Sequence, residues 1–227
     1  MDAQETIEKN GMIGKIGFDP EPESPRDWEG NYGTIYHTHP NYDLGERVTD
    51  HDDALYKLSQ EDGVTIECSH CGNELEYTGY GWENAVVDSE EPDECEKAPA
   101  QQHPFIKTIT YHPHNPTVKG AVYYPVYAYE HGGITLSMGG FSCPWDSGQV
   151  GIIATTDKRL AEGGFVPSDN LGVKELLEGE IKDYATYLEG MIYAYEIETV
   201  DGDHVSSCGG YYTEEEAKSE MLAEMED

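Results

Sequence analysis

Positive charge is what this chain has least of. Its 227 residues carry 13 Lys and Arg against 46 Asp and Glu, a formal net charge of −33 at pH 7. No Lys/Arg cluster exists to displace the counterions of a phosphate backbone, so direct nucleic-acid binding is not expected. Long apolar runs are also missing: none approaches the roughly 20 residues needed to span a bilayer, and no membrane association is expected. The segment Met1 to Glu5 lacks the basic and apolar regions of a signal peptide. Cysteine is sparse, five in all and an odd number, which does not suit the disulfide framework of a small secreted protein. These absences point to a soluble intracellular protein.

The acidity has two physical readings. A carboxylate-rich surface stays hydrated in concentrated salt, where the screening length falls to about 3 Å at 1 M. Alternatively, carboxylates stand in for phosphates and occupy a basic groove. The acidic residues are spread along the whole chain, which favours halophilic adaptation.

The least charged part is Val122 to Thr155. Val122 to Tyr129 is β-branched, aromatic or small, His131-Gly132-Gly133 breaks the run, and Ile134 to Met138 is apolar again. Two such runs around a short glycine-containing break predict a β-hairpin. A loop, Phe141-Ser142-Cys143-Pro144-Trp145-Asp146-Ser147-Gly148-Gln149, leads to a third strand over Val150 to Thr155. The three strands are expected to form a meander at the centre of a sheet.

Residues 1–31 hold many Gly, Pro, Asp and Glu with few apolar anchors, and are expected to form an acidic N-terminal arm. Residues 32–227 are expected to form a single α+β domain. Within it, Thr49 offers a helix N-cap, and Ala54, Leu55 and Leu58 follow at helical spacing. Residues 64–116 look like an insert. Val173, Leu176, Leu177, Ile181, Tyr184 and Leu188 recur near every 3.6 residues and predict the best amphipathic helix of the chain, with Gly179 a candidate break. Asp201-Gly202 between two β-rich runs predicts a second hairpin. Thr213 to Glu216 is a capping box that opens the last helix. The expected architecture is α+β: a mostly antiparallel sheet of five to seven strands with two or three helices on one face.

Three sets of residues could carry chemistry. Cys68-Ser69-His70-Cys71-Gly72 has the spacing of a zinc knuckle. Cys95 and His103 are the nearest further ligands, so residues 64–116 are a candidate zinc clip holding a structural ion through Cys68, Cys71, Cys95 and His103. His37 and His39 sit two apart at a strand end but lack the downstream ligands of a metallohydrolase, and are read as polar strand-end residues. Cys143 is a candidate nucleophile with Asp146 as its orienting carboxylate. His131 is the nearest base in sequence. It lies in the hairpin turn, and a five-residue strand puts it roughly 17 Å from the loop. The structural alternative makes Trp145 a core plug, Asp146 a cap on backbone amides, and Gly148 a turn residue.

The run Tyr127-x-Tyr129-x-His131-x-Gly133, with Phe141 to Gly151, resembles a family of uncharacterised proteins found in phages, archaeal viruses and plasmids. Two further stretches are similar to that family: His37 to Glu46, ending Tyr42-x-Leu44-Gly45-Glu46, and Tyr187-Leu188-x-Gly190-x-x-Tyr193 with the later strand containing Cys208. The chain departs from it at His39, where a basic residue is expected, and in its cysteine-containing segment. The resemblance implies a mobile-element setting and no particular activity. The function expected is that of a non-enzymatic acidic accessory protein, located in the host cytoplasm or the virion. It would act by binding a protein partner, in the sharpest version as a nucleic-acid mimic that inhibits a host defence. The alternatives are a cysteine-dependent hydrolase or transferase centred on Cys143, and a minor virion or assembly protein.

Overall fold

The computed structural model describes residues 3–69, 72–79, 82–84, 101–102, 110–111, 116–165 and 170–226. The elements in chain order are β1 (Ala3–Lys9), β2 (Met12–Phe18), a 3-10 turn (Pro25–Asp27), β3 (Thr34–His37), β4 (Glu46–Arg47), α1 (His51–Ser59), β5 (Thr65–Cys68), β6 (Leu75–Tyr77), β7 (Trp82–Asn84), β8 (Gln101–Gln102), β9 (Thr110–Tyr111) and β10 (Pro116–Lys119). They continue with β11 (Ala121–Glu130), β12 (Ile134–Ser137), β13 (Ser147–Thr156), α2 (Asp157–Glu162), α3 (Asn170–Leu188), β14 (Tyr193–Thr199), β15 (His204–Tyr211) and α4 (Glu214–Glu224). The fold is α+β with antiparallel pairing dominant, as the sequence pattern indicates; β3 and β4 pair in parallel. The chain forms two compact units, one from residues 1–31, 126–149 and 171–227, the other from 32–125 and 150–170.

In the first unit a four-stranded sheet has the order β1-β2-β14-β15. Asn10 and Gly11 join β1 to β2 with φ of 51° and 76°. Two positive φ values in a row make the type I′ turn whose twist matches the flanking strands. Residues expected to be an arm are thus two paired strands. Glycines in β2 hide the strand pattern, and one of them has a packing reason: a Cβ on Gly14 would lie 2.5 Å from the Met221 sulfur. That vacancy lets α4 settle on the sheet, where Ile16, Tyr195, Ile197, Ala217, Met221 and Met225 form one apolar cluster. The hydroxyl of Thr213 accepts from Glu216 N–H at 3.2 Å and caps α4, the start its sequence predicts. Helix α3 runs through Gly179 without a break and buries Val173, Leu177 and Ile181.

In the second unit β13 pairs antiparallel with β3, Gly151 opposite His37 and Ala154 opposite Thr34. Strand β5 pairs with β10. Tyr36, Leu55, Leu58, Ile66, Cys68, Leu75, Trp82 and Ile152 share a buried cluster. Strands β5 to β7 therefore contribute core residues, where the sequence suggested an insert hung on the domain. Trp82 Nε1–H donates to Asp52 Oδ1 at 3.0 Å, tying that segment to α1. The cap of α1 is Asp50 rather than Thr49: Asp50 Oδ1 accepts from Asp53 N–H at 2.9 Å, and Asp53 Oδ2 accepts from Thr49 N–H at 2.8 Å. The cap lies one residue later than the Thr suggested, and Asp53 reaches back past it to the residue before.

Gly120 joins β10 to β11 with φ +75°, and a Cβ there would come within 2.1 Å of the Gly63 carbonyl oxygen. Left-handed backbone and steric closeness both select glycine. Gly120→Ala is expected to destabilise the fold by more than about 1 kcal/mol, read as a lowered urea midpoint. Gly164→Ala is the control, since its φ is also positive but nothing lies within 4 Å of the added carbon; the difference between the two variants isolates the clash.

Candidate functional site

The loop from Phe141 to Gln149 lies where β12 ends and β13 begins. Its position depends on which strand β13 joins. A meander would lay β13 against β12; instead β11 lies between β12 and β13. Glu130 N–H donates to Asp146 O at 2.8 Å, so the start of β13 sits beside the end of β11. The nine residues Met138 to Asp146 therefore run back along the length of β12, well within their reach of about 30 Å when extended. This overturns the separation expected between hairpin turn and loop. His131 Nδ1 lies 3.4 Å from Asp146 Oδ2.

Asp146 is the centre of the loop. The same Oδ2 accepts from the Cys143 thiol at 3.7 Å, a sulfur hydrogen bond. The Ser147 hydroxyl donates to the Cys143 carbonyl, closing the turn one residue further on. Phe141 packs on Tyr129 with ring centroids 5.6 Å apart, and Tyr129 stacks on His131 at 6.2 Å. At the apex Trp145 is 91% exposed. Its expected role as a core plug is therefore corrected: the loop is fastened at Phe141, Cys143, Asp146 and Ser147, and the indole projects into water.

This arrangement bears on catalysis. A nucleophilic thiol needs a base to take its proton, with a third group orienting that base. Here the carboxylate contacts the thiol and the imidazole separately. Cys143 has its side-chain hydrogen bond with Asp146 and, among the described residues, none with a histidine. The order thiol–imidazole–carboxylate is not formed, and the geometry is that of a structural knot.

His37 and His39 do different work from what strand-end histidines suggest. Both are buried, 0% and 3% exposed. His39 Nδ1 accepts from the N–H groups of Asn41 at 3.2 Å and Tyr42 at 3.1 Å, capping the turn after β3, and its ring meets Tyr42 edge-on. His37 Nε2 accepts from Leu44 N–H at 3.3 Å. An imidazole nitrogen that accepts carries no proton, so His37 Nε2 and His39 Nδ1 act here through their lone pairs. The His37 pKa is held below its ordinary value, first by burial and then by the Arg47 guanidinium. Its Nδ1 is buried without a hydrogen-bond partner.

Cys68, the first of the four residues expected to hold zinc, is 1% exposed in the apolar cluster around Ile66 and Leu58. Its carbonyl accepts from Gly72 N–H and its own N–H donates to the Asn73 carbonyl, each at 2.8 Å. Cys71, Cys95 and His103 lie outside the described residues. Among the described residues no group of three or more His, Cys, Asp or Glu is placed to hold a metal ion.

Sequence reasoning did not anticipate the pairing of Tyr195 with Tyr211 on the first sheet, their ring centroids 5.8 Å apart. Burial pushes both phenols up from their ordinary range, so neither ionises near neutrality. The available signal was their position on β14 and β15 facing the last helix. Comparison with protein-family models, with curated proteins and with solved structures finds no match.

The buried His37 sets a pH dependence. A histidine whose folded pKa is depressed binds its proton more readily when unfolded. Its contribution to stability is complete above about pH 6.5, the unfolded value, and is lost as pH falls from there through the folded pKa. The urea midpoint is expected to fall as the pH drops below about 6.5. His37→Gln, which keeps an acceptor for Leu44 N–H, is expected to flatten that part of the profile. An unchanged slope would assign the effect to other groups.

Proposed function

We propose that this chain is a non-enzymatic binding protein and that the loop bearing Trp145 is where a protein partner docks. The observation that carries the reading is an indole 91% exposed on a loop whose neighbours are pinned by hydrogen bonds and ring contacts. A large side chain kept in water forgoes roughly 1.5–3 kcal/mol of burial, which association recovers. Because the loop is already ordered, little further entropy is lost on binding. Trp is also among the residues most enriched at binding hot spots. The net charge of −33 selects a basic surface on the partner through steering and complementarity. A groove shaped for nucleic acid is the sharpest example of such a surface. The setting that goes with this reading is an accessory protein of a virus or mobile element in a salt-loving host. The Cys143 thiol donates to the Asp146 carboxylate and, among the described residues, makes no hydrogen bond with an imidazole, which supports this reading over thiol–imidazole catalysis.

Trp145→Ala tests the reading. Its stability is expected to match the parent within about 0.5 kcal/mol. Affinity for the protein cross-linked to the chain in producing cells is expected to fall by a factor of about 30 or more, the loss of a hot spot worth about 2 kcal/mol. Cys143→Ser is expected to bind as the parent does. A folded Cys143→Ser protein without biological effect would move the function to the thiol. We further propose that the knuckle at Cys68 and Cys71 closes a structural zinc site with residues downstream. Elemental analysis is expected to find one zinc per chain, and folded protein without zinc removes the clip.

A further inference from the structure

Asn10 is the only asparagine of the chain followed by glycine. The pair forms the exposed turn between β1 and β2. Two features of the turn bear on its chemistry. The ladder closes with Lys9 opposite Met12, and the Gly11 N–H makes no hydrogen bond among the described residues. Around Gly11 there is open space: nothing lies within 4 Å of where a Cβ would stand. An amide nitrogen so uncovered is placed next in the chain to a carboxamide carbon, and no side chain of its own residue hinders their approach.

The far end of the Asn10 side chain is occupied. Its Nδ2 donates to the Met225 carbonyl at 2.8 Å, and Met225 is the C-cap of α4. Beside it Lys9 Nζ meets Glu226 Oε1 at 2.6 Å. The Met225 side chain is 0% exposed and packs in the apolar cluster under α4. These contacts together fasten the last turn of α4 to the hairpin.

We infer that Asn10-Gly11 is a site of spontaneous deamidation, gated by the docking of α4, and that its product undoes part of that docking. The Gly11 nitrogen loses its proton and bonds to Asn10 Cγ. The Cγ–Nδ2 bond breaks, and Nδ2 leaves as ammonia. Water then opens the five-membered imide at either carbonyl, giving an aspartate or an isoaspartate. No other reactant is needed. While Nδ2 is bonded to the Met225 carbonyl, the carboxamide is held against α4, and the turn has to open before Cγ meets the Gly11 nitrogen. Either product replaces a donor with a carboxylate. That charge faces the Met225 carbonyl oxygen at the negative end of the helix dipole, with Glu226 beside it, so attraction becomes repulsion. The isoaspartate also lengthens the backbone of a two-residue turn whose geometry sets the pairing of Lys9 with Met12. The Asp62-Gly63 and Asp201-Gly202 pairs lack the ammonia leaving group and react more slowly. This site is independent of the proposed docking at Trp145, since neither that loop nor a partner takes part.

The test is peptide mapping of the intact chain aged in mildly alkaline buffer, read by mass and by an isoaspartate-specific methyltransferase. In the folded chain, conversion at Asn10 is expected to lead that at every other asparagine. In urea above the unfolding transition it is expected to run about ten-fold faster or more, since opening no longer limits it. Met225→Ala keeps the accepting carbonyl and removes the buried anchor of that turn; it is expected to raise the folded rate about five-fold and leave the rate in urea unchanged. If that variant does not fold, Glu226→Gln, which removes only the surface pair with Lys9, is expected to move the folded rate in the same direction. Asn10→Asp is expected to speed hydrogen exchange of the Met225 and Glu226 amides, which donate to Met221 and Ala223 at 3.1 Å. Equal rates in folded and unfolded chain would remove the gate and overturn the inference. No conversion at Asn10 in the folded chain would do the same. Unchanged exchange in Asn10→Asp would overturn the coupling to α4.

Discussion

Mutual repulsion among carboxylates is the constraint under which the rest of this structure is arranged. With 13 cations for 46 acids, each Lys or Arg is a scarce resource, and several join segments far apart in the chain. Arg159 donates to Thr34 Oγ1 at 2.6 Å and to the Tyr32 carbonyl at 3.3 Å, and pairs with Glu61 at 3.4 Å. Arg26 meets Glu180 at 2.9 Å with both side chains largely shielded from water. Lys218 ties α4 to β1 through Glu5. Arg47 bonds to the carbonyls of His39 and Tyr42 and pins the turn after β3. Exposed pairs contribute little one by one. Here their placement decides which distant segments are held together.

Local physics was legible in the sequence wherever a residue type has one dominant backbone use. The Asp201-Gly202 hairpin, the Thr213 cap and the stripe on α3 all stand where their patterns put them. The α+β class follows from the same patterns. Less legible was anything set by partners remote in sequence. Gly14 reads as a loop residue until Met221 is seen to need the space of its missing Cβ. Trp82, in a polar surrounding sequence, becomes core because Asp52 satisfies its indole N–H.

The loop shows this limit most sharply. Its residues announce a specific structure, but its chemistry depends on whether β13 returns to β11 or to β12. Nothing local encodes that choice: both arrangements are antiparallel and both use the same three strands. Once Asp146 lies beside Glu130, its carboxylate reaches His131 as well as Cys143. Likewise His37 and His39 look like candidate ligands by spacing and turn out to accept backbone N–H groups in the buried turn after β3. A histidine pair at a strand end reports metal binding only when its lone pairs are not already taken.

The three indoles of this chain differ widely in surroundings. Trp82 is buried and hydrogen-bonded, Trp28 is half exposed, and Trp145 stands almost wholly in water. The red edge of the intrinsic fluorescence therefore belongs mainly to Trp145. That residue projects from a strongly anionic body, so collisional quenchers of opposite charge meet different potentials on approach. Iodide is repelled where caesium is drawn in, and neutral acrylamide is indifferent. The ratio of iodide to caesium quenching thus reads the electrostatic potential at one known point of the surface. Its rise toward unity with added salt traces how far that potential extends, with no label attached to the chain.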